Sequence, residues 1–286
     1  MKQLQYLWKN SILKIFNQKM GLFAVLMLIT SRTYAAPLRQ YSVDMDYPCS
    51  WCIFPFVMSS FSYLILFWFA VIYVNSDVPF MQHVNMYHAI RMGRRRWALG
   101  QIGGIFVRSF VMVVLSAVST ILPLLPDIEW TNEWGSLLRT AAWTNALNQY
   151  QGSVTVYYEI FSEFSPLSLM ALEIFICTML CTMMGVLMFA LSLFFNKICA
   201  VAGSMALAIA MFFVVSVPIQ LRYKLAFLVP TVWAELARIA TPSLGYYWLP
   251  SLTYMVVFLI LTILGMSIFI LVKVRQIEFD WENEDI

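Results

Sequence analysis

Charge is what this sequence has least of. Only 12% of its 286 residues are Asp, Glu, Lys or Arg, against the roughly 25% usual for soluble domains. That shortage, with repeated apolar runs near 20 residues long, excludes an ordinary soluble domain and places the chain in a bilayer. A net charge of +3 is too small to point to nucleic acid. Histidine is scarce too. His83 and His88 stand five apart, about 140° around a helix, so they do not readily share a metal. HExxH, GxSxG and paired carboxylates within an apolar run are missing, which leaves an intramembrane enzyme without its usual chemistry. Gx₄GK[ST] is missing as well, so the chain does not hydrolyse ATP through a P-loop. Nor is there a Ser/Gly-rich linker to divide it; residues 1–286 read as one membrane unit.

Five cysteines remain. Cys177, Cys181 and Cys199 lie in apolar segments and read as small buried hydrophobes. Cys49 and Cys52, in "PCSWC", fall in a polar loop, where a disulfide is one option; a redox motif lacks its βαβ surroundings.

Apolar runs predict an all-α, polytopic fold with six spans at about 20–36, 55–75, 101–124, 166–194, 198–217 and 250–273. Pro55, Pro166 and Pro250 stand at or near three span starts, where a missing N–H costs least. Ahead of the first span, "LWKNSILKIF" reads as an amphipathic interfacial helix rather than part of a cleaved signal. Arg32 interrupts the far end of that span and can snorkel. Lys2, Lys9, Lys14, Lys19, Arg91, Arg94–Arg96, Lys197, Lys273 and Arg275 fall on one side. Arg39, Arg139, Arg222, Lys224 and Arg238 fall on the other. The first side is therefore cytoplasmic, and both termini lie there.

External loops are expected at 37–54, 125–165 and 218–249. The second is acidic and carries Trp130, Trp134 and Trp143, a pattern of interfacial helices. The third contains "PTVWAELARIATP", which predicts a short helix with Trp233, Leu236 and Ala240 on one side.

Ionisable residues within spans are site candidates by default. Arg108 stands two turns into the third span and Glu173 two turns into the fourth. Each either snorkels to the nearer interface or serves a polar site. Glu173, Cys177, Cys181 and Gly185 recur at every fourth position, drawing a small or polar stripe down one helix face. That stripe is either ordinary close packing, a translocation path or a subunit interface.

Residues 76–100, "SDVPFMQHVNMYHAIRMGRRRWALG", combine a cap, a proline and a terminating glycine, so a helix over about 77–92 is expected. Phe80, Val84, Tyr87 and Arg91 share one face of it. A positive anchor needs no capped helix with aromatics on one side; such a helix packs on something.

Six spans with both termini inside, an amphipathic N-terminal helix, the basic turn at Ile90–Trp97 and helical segments between the last two spans form a pattern. It resembles the permease subunits of type-2 (ABC-2) ABC exporters, particularly small bacterial permeases that export peptides such as phenol-soluble modulins or bacteriocins. The resemblance implies a multi-pass subunit of the bacterial plasma membrane. It pairs with a second permease, a copy of itself or a close paralogue, and docks two separate ATPase subunits that bind ATP and Mg. The chain itself then needs no cofactor or metal. Phe80, Val84, Tyr87 and Arg91 belong to a coupling helix, with Arg94 and Arg95 at the headgroups or the ATPase rim. Arg108, Glu173, Cys177, Cys181 and Gly185 are candidates for the path or the subunit interface. The acidic 125–165 loop departs from relatives with short loops there. The competing reading is a scaffold or sensor that works with an ABC ATPase without transporting.

Overall fold

The computed structural model describes residues 17–76, 93–144, 146–150, 152 and 154–274. The 77–92 helix, with Phe80, Val84, Tyr87 and Arg91, and the N-terminal amphipathic segment lie outside them. The described chain is an all-α bundle with only four two-residue strands. Five of its helices are long and apolar enough to cross a membrane: α1 (Gln18–Met45), α4 (Arg94–Ile121), α7 (Pro166–Phe194), α8 (Lys197–Ser216) and α10 (Leu252–Lys273). This is a multi-pass membrane protein by length and composition.

α7 is the central post. Nearly three-quarters of its apolar window (72%) is buried, against 17% for α10, and it packs against α4, α8 and α10. A helix that is hydrophobic all round belongs inside a bundle. Pro166 stands at its first position and the Ser165 hydroxyl accepts from the Ser168 N–H at 3.4 Å, which together fix its start. Asn196 caps α8 through the Cys199 N–H at 2.7 Å. Both helices match their predicted spans closely.

The other spans differ in instructive ways. α1 reaches Met45 instead of ending near residue 36. Pro37 deprives it of one backbone bond, but Leu38, Tyr41 and Ser42 continue its buried face and carry the helix onward. It ends at Asp46, in the left-handed region at φ 55°. α4 begins at Arg94 rather than 101, with Gly93 at φ +83° before it. Arginines propagate a helix well, whereas hydropathy sees only where apolar residues begin. A 3-10 turn, Leu122–Leu124, continues the end of α4.

The span predicted at 55–75 is two helices, α2 (Phe54–Met58) and α3 (Phe61–Asn75). The chain breaks at Ser60, which is extended at ψ 119°. The Ser59 carbonyl left over there accepts a hydrogen bond from Arg238 at 3.1 Å. At about 22 Å, α3 is shorter than the bilayer's hydrocarbon core.

Loop structure closes one end of the bundle. β1 (Cys49–Ser50) pairs in parallel with β2 (Ile128–Glu129). α5 (Ser136–Thr144) and α6 (Ile160–Glu163) lie in the long loop. Trp134 is buried there and donates to the Phe164 carbonyl at 2.7 Å, while Trp130 and Trp143 are exposed. Between the last two long helices comes α9 (Ile219–Ala226), followed by 3-10 segments at Pro230–Ala234 and Leu236–Arg238. Trp233, Leu236 and Ala240 are buried as a set, although the expected single helix is two 3-10 pieces. β3 (Pro242–Ser243) and β4 (Tyr246–Tyr247) form a small antiparallel ladder.

Candidate functional site

The stripe on α7 faces inward. Glu173, Cys177 and Cys181 have no exposure, and Gly185 is buried with them. The Cys177 thiol donates to Glu173 Oε1 at 3.2 Å. Glu173 Oε2 is buried without a hydrogen-bond partner among the described residues. Glu173 therefore does not snorkel; it is enclosed by its own chain.

Close to this pair, three further helices contribute hydroxyls. Ser31 of α1 sits between Tyr63 of α3, at 3.2 Å, and Ser119 of α4, at 2.8 Å. Cys177 lies within electrostatic range of Tyr63, and Glu173 within range of Cys52. The Cys52 thiol donates to the Pro166 carbonyl at 3.2 Å. Cys49 and Cys52 are buried free thiols, so the "PCSWC" pair forms no disulfide. The exposed polar loop expected there is instead packed under the long loop through the β1–β2 ladder.

A second polar group lies further along α7. Arg108 is only 4% exposed, and its guanidinium donates to Asn75 Oδ1 at 2.6 Å. Like Glu173, it turns into the protein rather than to the nearer interface. Gly185 lies beneath this contact. A methyl group there would stand 2.5 Å from Ile105 Cγ2 and 3.3 Å from Asn75 Oδ1. The missing side chain is what lets α7, α4 and the end of α3 approach. Arg108 and Gly185 thus meet through Asn75, whereas Arg108 and Glu173 belong to separate clusters.

A third cluster ties the outer segments together. Glu235 Oε2 receives Arg222 at 3.2 Å and Arg238 at 3.0 Å. The Arg222 guanidinium lies 3.7 Å from the centre of the Trp248 ring, and Arg238 reaches both Trp248 and Tyr157. Burial pulls Arg222 down to about 10, against the opposing pull of Glu235, so it stays charged at neutral pH. Burial likewise pushes the Glu235 carboxyl up, with Arg238 and Arg222 holding it back.

Arg94, Arg95 and Arg96 open α4 on an exposed surface. Lys19, whose ammonium donates to Ser76 Oγ at 2.8 Å and sits over Tyr73, lies beside the Arg108–Asn75 contact, about four turns along α4 from this basic end. Between the two, Trp97 and Ile105 of α4 pack with Phe189 and Leu193 of α7 and Ile270 of α10.

Sequence reasoning missed Asn75, the Ser31–Tyr63–Ser119 chain and the Arg222–Glu235–Arg238 triad. For Asn75 the signal was present: an amide closing an otherwise apolar run. Comparisons with protein-family models, curated proteins and solved structures found no match to the chain.

Proposed function

We propose that the chain is the membrane-spanning subunit of an ATP-driven exporter of the ABC-2 type, working with a separate ATPase. The observation that carries this reading is the Lys19–Ser76 contact. It joins the start of α1 to the chain just past α3. α1 is 28 residues long, about 42 Å, so the chain must return that distance between Met45 and Ser76. α2 and α3 make the return and supply a sixth, broken crossing. On this reading six crossings put residues 17 and 274 on the same side, the side toward which Lys19, Arg94–Arg96, Lys197 and Lys273 fall. The positive-inside rule makes that side cytoplasmic.

The connection between the second and third crossings then emerges on the cytoplasmic side and re-enters through Gly93. Its φ of +83° turns the chain sharply into α4. Movement of a docked segment ahead of Gly93 would pass directly into α4 and through Arg108, Asn75 and Gly185 into α7. In this mechanism ATP binding closes the paired ATPases, the 77–92 segment moves with them, and the α4–α7 unit tilts. A second permease completes the path, and the cargo is an amphipathic peptide.

Co-expression with candidate ATPase subunits, followed by purification and reconstitution in vesicles, tests the reading. The expected result is a stable complex whose ATP hydrolysis drives cargo across the vesicle membrane. A complex that hydrolyses ATP but moves nothing would replace the exporter with a scaffold or sensor. Absence of any association would remove both. Tyr87→Ala with Arg91→Ala should weaken ATPase docking while leaving membrane insertion intact.

A further inference from the structure

The end of the bundle opposite Lys19 holds an open groove of about 620 Å³ between α1 and the 3-10 turn that ends α4. Arg32 and Arg39 lie on its α1 side, seven residues apart. That spacing puts them about 20° apart around the helix and about 10.5 Å apart along it. The walls between and beside them are apolar, with Leu28 and Val43 on α1 and Leu122 and Leu125 opposite. All of these side chains are substantially exposed. No carboxylate lies within ion-pair distance of either arginine among the described residues. The nearest acid in sequence on α1, Asp44, lies about 140° around the helix from Arg39 and pairs with Tyr150.

α1 is long and apolar enough to cross a membrane, so this groove opens toward lipid. Arg39 lies toward the outer end of α1, and Arg32 lies two turns closer to the middle of the helix. Arg108, at the other end of α1, is covered by Asn75, and the Arg222–Arg238 pair by Glu235. Arg32 has no such cover from the protein. Two cations on one face, separated by the height of a headgroup and flanked by apolar walls, match an amphiphile with an anionic head and a hydrocarbon tail.

We propose that this groove binds an anionic amphiphile, its phosphate or carboxylate head between Arg32 and Arg39, beside Leu122, and its tail along Leu28. The site requires neither ATP nor transport, so it stands independently of the exporter reading. The head chemistry is shared by a resident acidic lipid and by an acidic amphiphile carried as cargo.

The test uses the purified full chain in nanodiscs of phosphatidylcholine, titrated with a fluorescent phosphatidylglycerol. A phosphatidylcholine analogue and inorganic phosphate serve as competitors. Arg32→Gln with Arg39→Gln should weaken phosphatidylglycerol binding about twenty-fivefold, at about fivefold per arginine. The double lysine variant should retain most of it. Arg139→Gln, on the exposed face of α5, should have no effect and reports on general surface charge. A monodisperse double glutamine variant that binds like the wild type overturns the proposal. So does equal competition by phosphatidylcholine, which removes the charge argument, or by inorganic phosphate, which removes the tail. Slow exchange of the bound phosphatidylglycerol identifies a resident lipid; exchange accelerated by ATP in the assembled complex identifies cargo.

Discussion

Gly185→Ala is the sharpest probe of how the bundle is held together. The added methyl would sit 2.5 Å from Ile105 Cγ2, about 1–1.5 Å inside the usual carbon–carbon contact of about 3.5–4.0 Å. Ile105 is almost fully buried and branched at Cβ, so its Cγ2 has no free swing. α4 must move, and Asn75 Oδ1 at 3.3 Å moves with it. Overpacking of this kind costs about 1–3 kcal/mol, against a gain of up to about 1 kcal/mol from replacing a helical glycine. The expected net effect is a loss of about 1–2 kcal/mol. Two other glycines calibrate the gain. At Gly265 an added methyl meets nothing within 4 Å, and at Gly203 it meets only the Leu191 Cδ1 tip at 2.7 Å.

Unfolding is followed with a fluorogenic thiol dye in a Cys199→Ser background, since Cys199 is the exposed thiol and the other four are buried. Gly265→Ala should match or exceed the wild type, Gly203→Ala should stay near it, and Gly185→Ala should fall clearly below. Ile105→Ala deletes the clashing methyl, so in that background the Gly185 substitution should lose its penalty, a coupling visible in a double-mutant cycle. If Gly185→Ala shifts stability no differently from Gly265→Ala, the close-approach argument is wrong.

Other outcomes follow from the same contacts. Asn75→Ala removes the acceptor from a buried guanidinium and should cost about 1.5–3 kcal/mol, whereas Asn75→Asp, which keeps an oxygen at the same place, should cost less; both are read in the same thiol assay. The Glu235 carboxyl is pushed up by burial, so its contribution to stability is complete below the ordinary carboxylate range and is lost as pH rises through the folded value. Thermal unfolding between about pH 4 and about pH 8 should therefore show the wild type losing ground to Glu235→Gln as pH increases; an unchanged gap would mean that the arginines cancel burial, and a gap moving the other way that they outweigh it. Alkylation of the native protein should modify Cys199 alone, with Cys49 and Cys52 reacting only after denaturation and without reductant; a linked pair would contradict the free thiols.

Helix positions were legible where the physics is one-dimensional. α7 and α8 are uninterrupted apolar runs bounded by Ser165–Pro166 and Asn196, and their ends match the sequence reading. α1 and α4 were read short because hydropathy stops at Arg94–Arg96 and Pro37, while the helix continues on arginine propensity at one and on buried Leu38 and Tyr41 at the other. The break at Ser60 depends on Arg238, far away in sequence, reaching the Ser59 carbonyl; no local pattern announces it. The α7 stripe was visible as a period of four, but what faces it was not. Ser31, Tyr63 and Ser119 come from three different helices and meet only once those helices cross. Snorkelling of Arg108 was a reasonable expectation from its depth alone, because depth does not reveal that Asn75 stands beside it.

Three classes of charge in this apolar chain constrain one another. Arg108 and Glu173 are enclosed and meet polar side chains of the same protein. Arg222, Glu235 and Arg238 neutralise one another in part and lean on Trp248. A central arginine costs roughly 2.5–3.5 kcal/mol to insert, and in both classes internal contacts offset that cost. Arg32 and Arg39 form the third class, on an open face with no internal contact to offset it. Only the surroundings of α1 can compensate them, by an anionic head, by water drawn into the groove, or by a second permease. A second permease that repeats this surface would bring more arginines to the same place, which raises the cost instead of lowering it. Water reaches Arg39 toward the outer end of α1 readily but has to follow the groove two turns further to reach Arg32. An anionic head seated in the groove meets both at once, and of the three it is the cover whose charge and shape both fit.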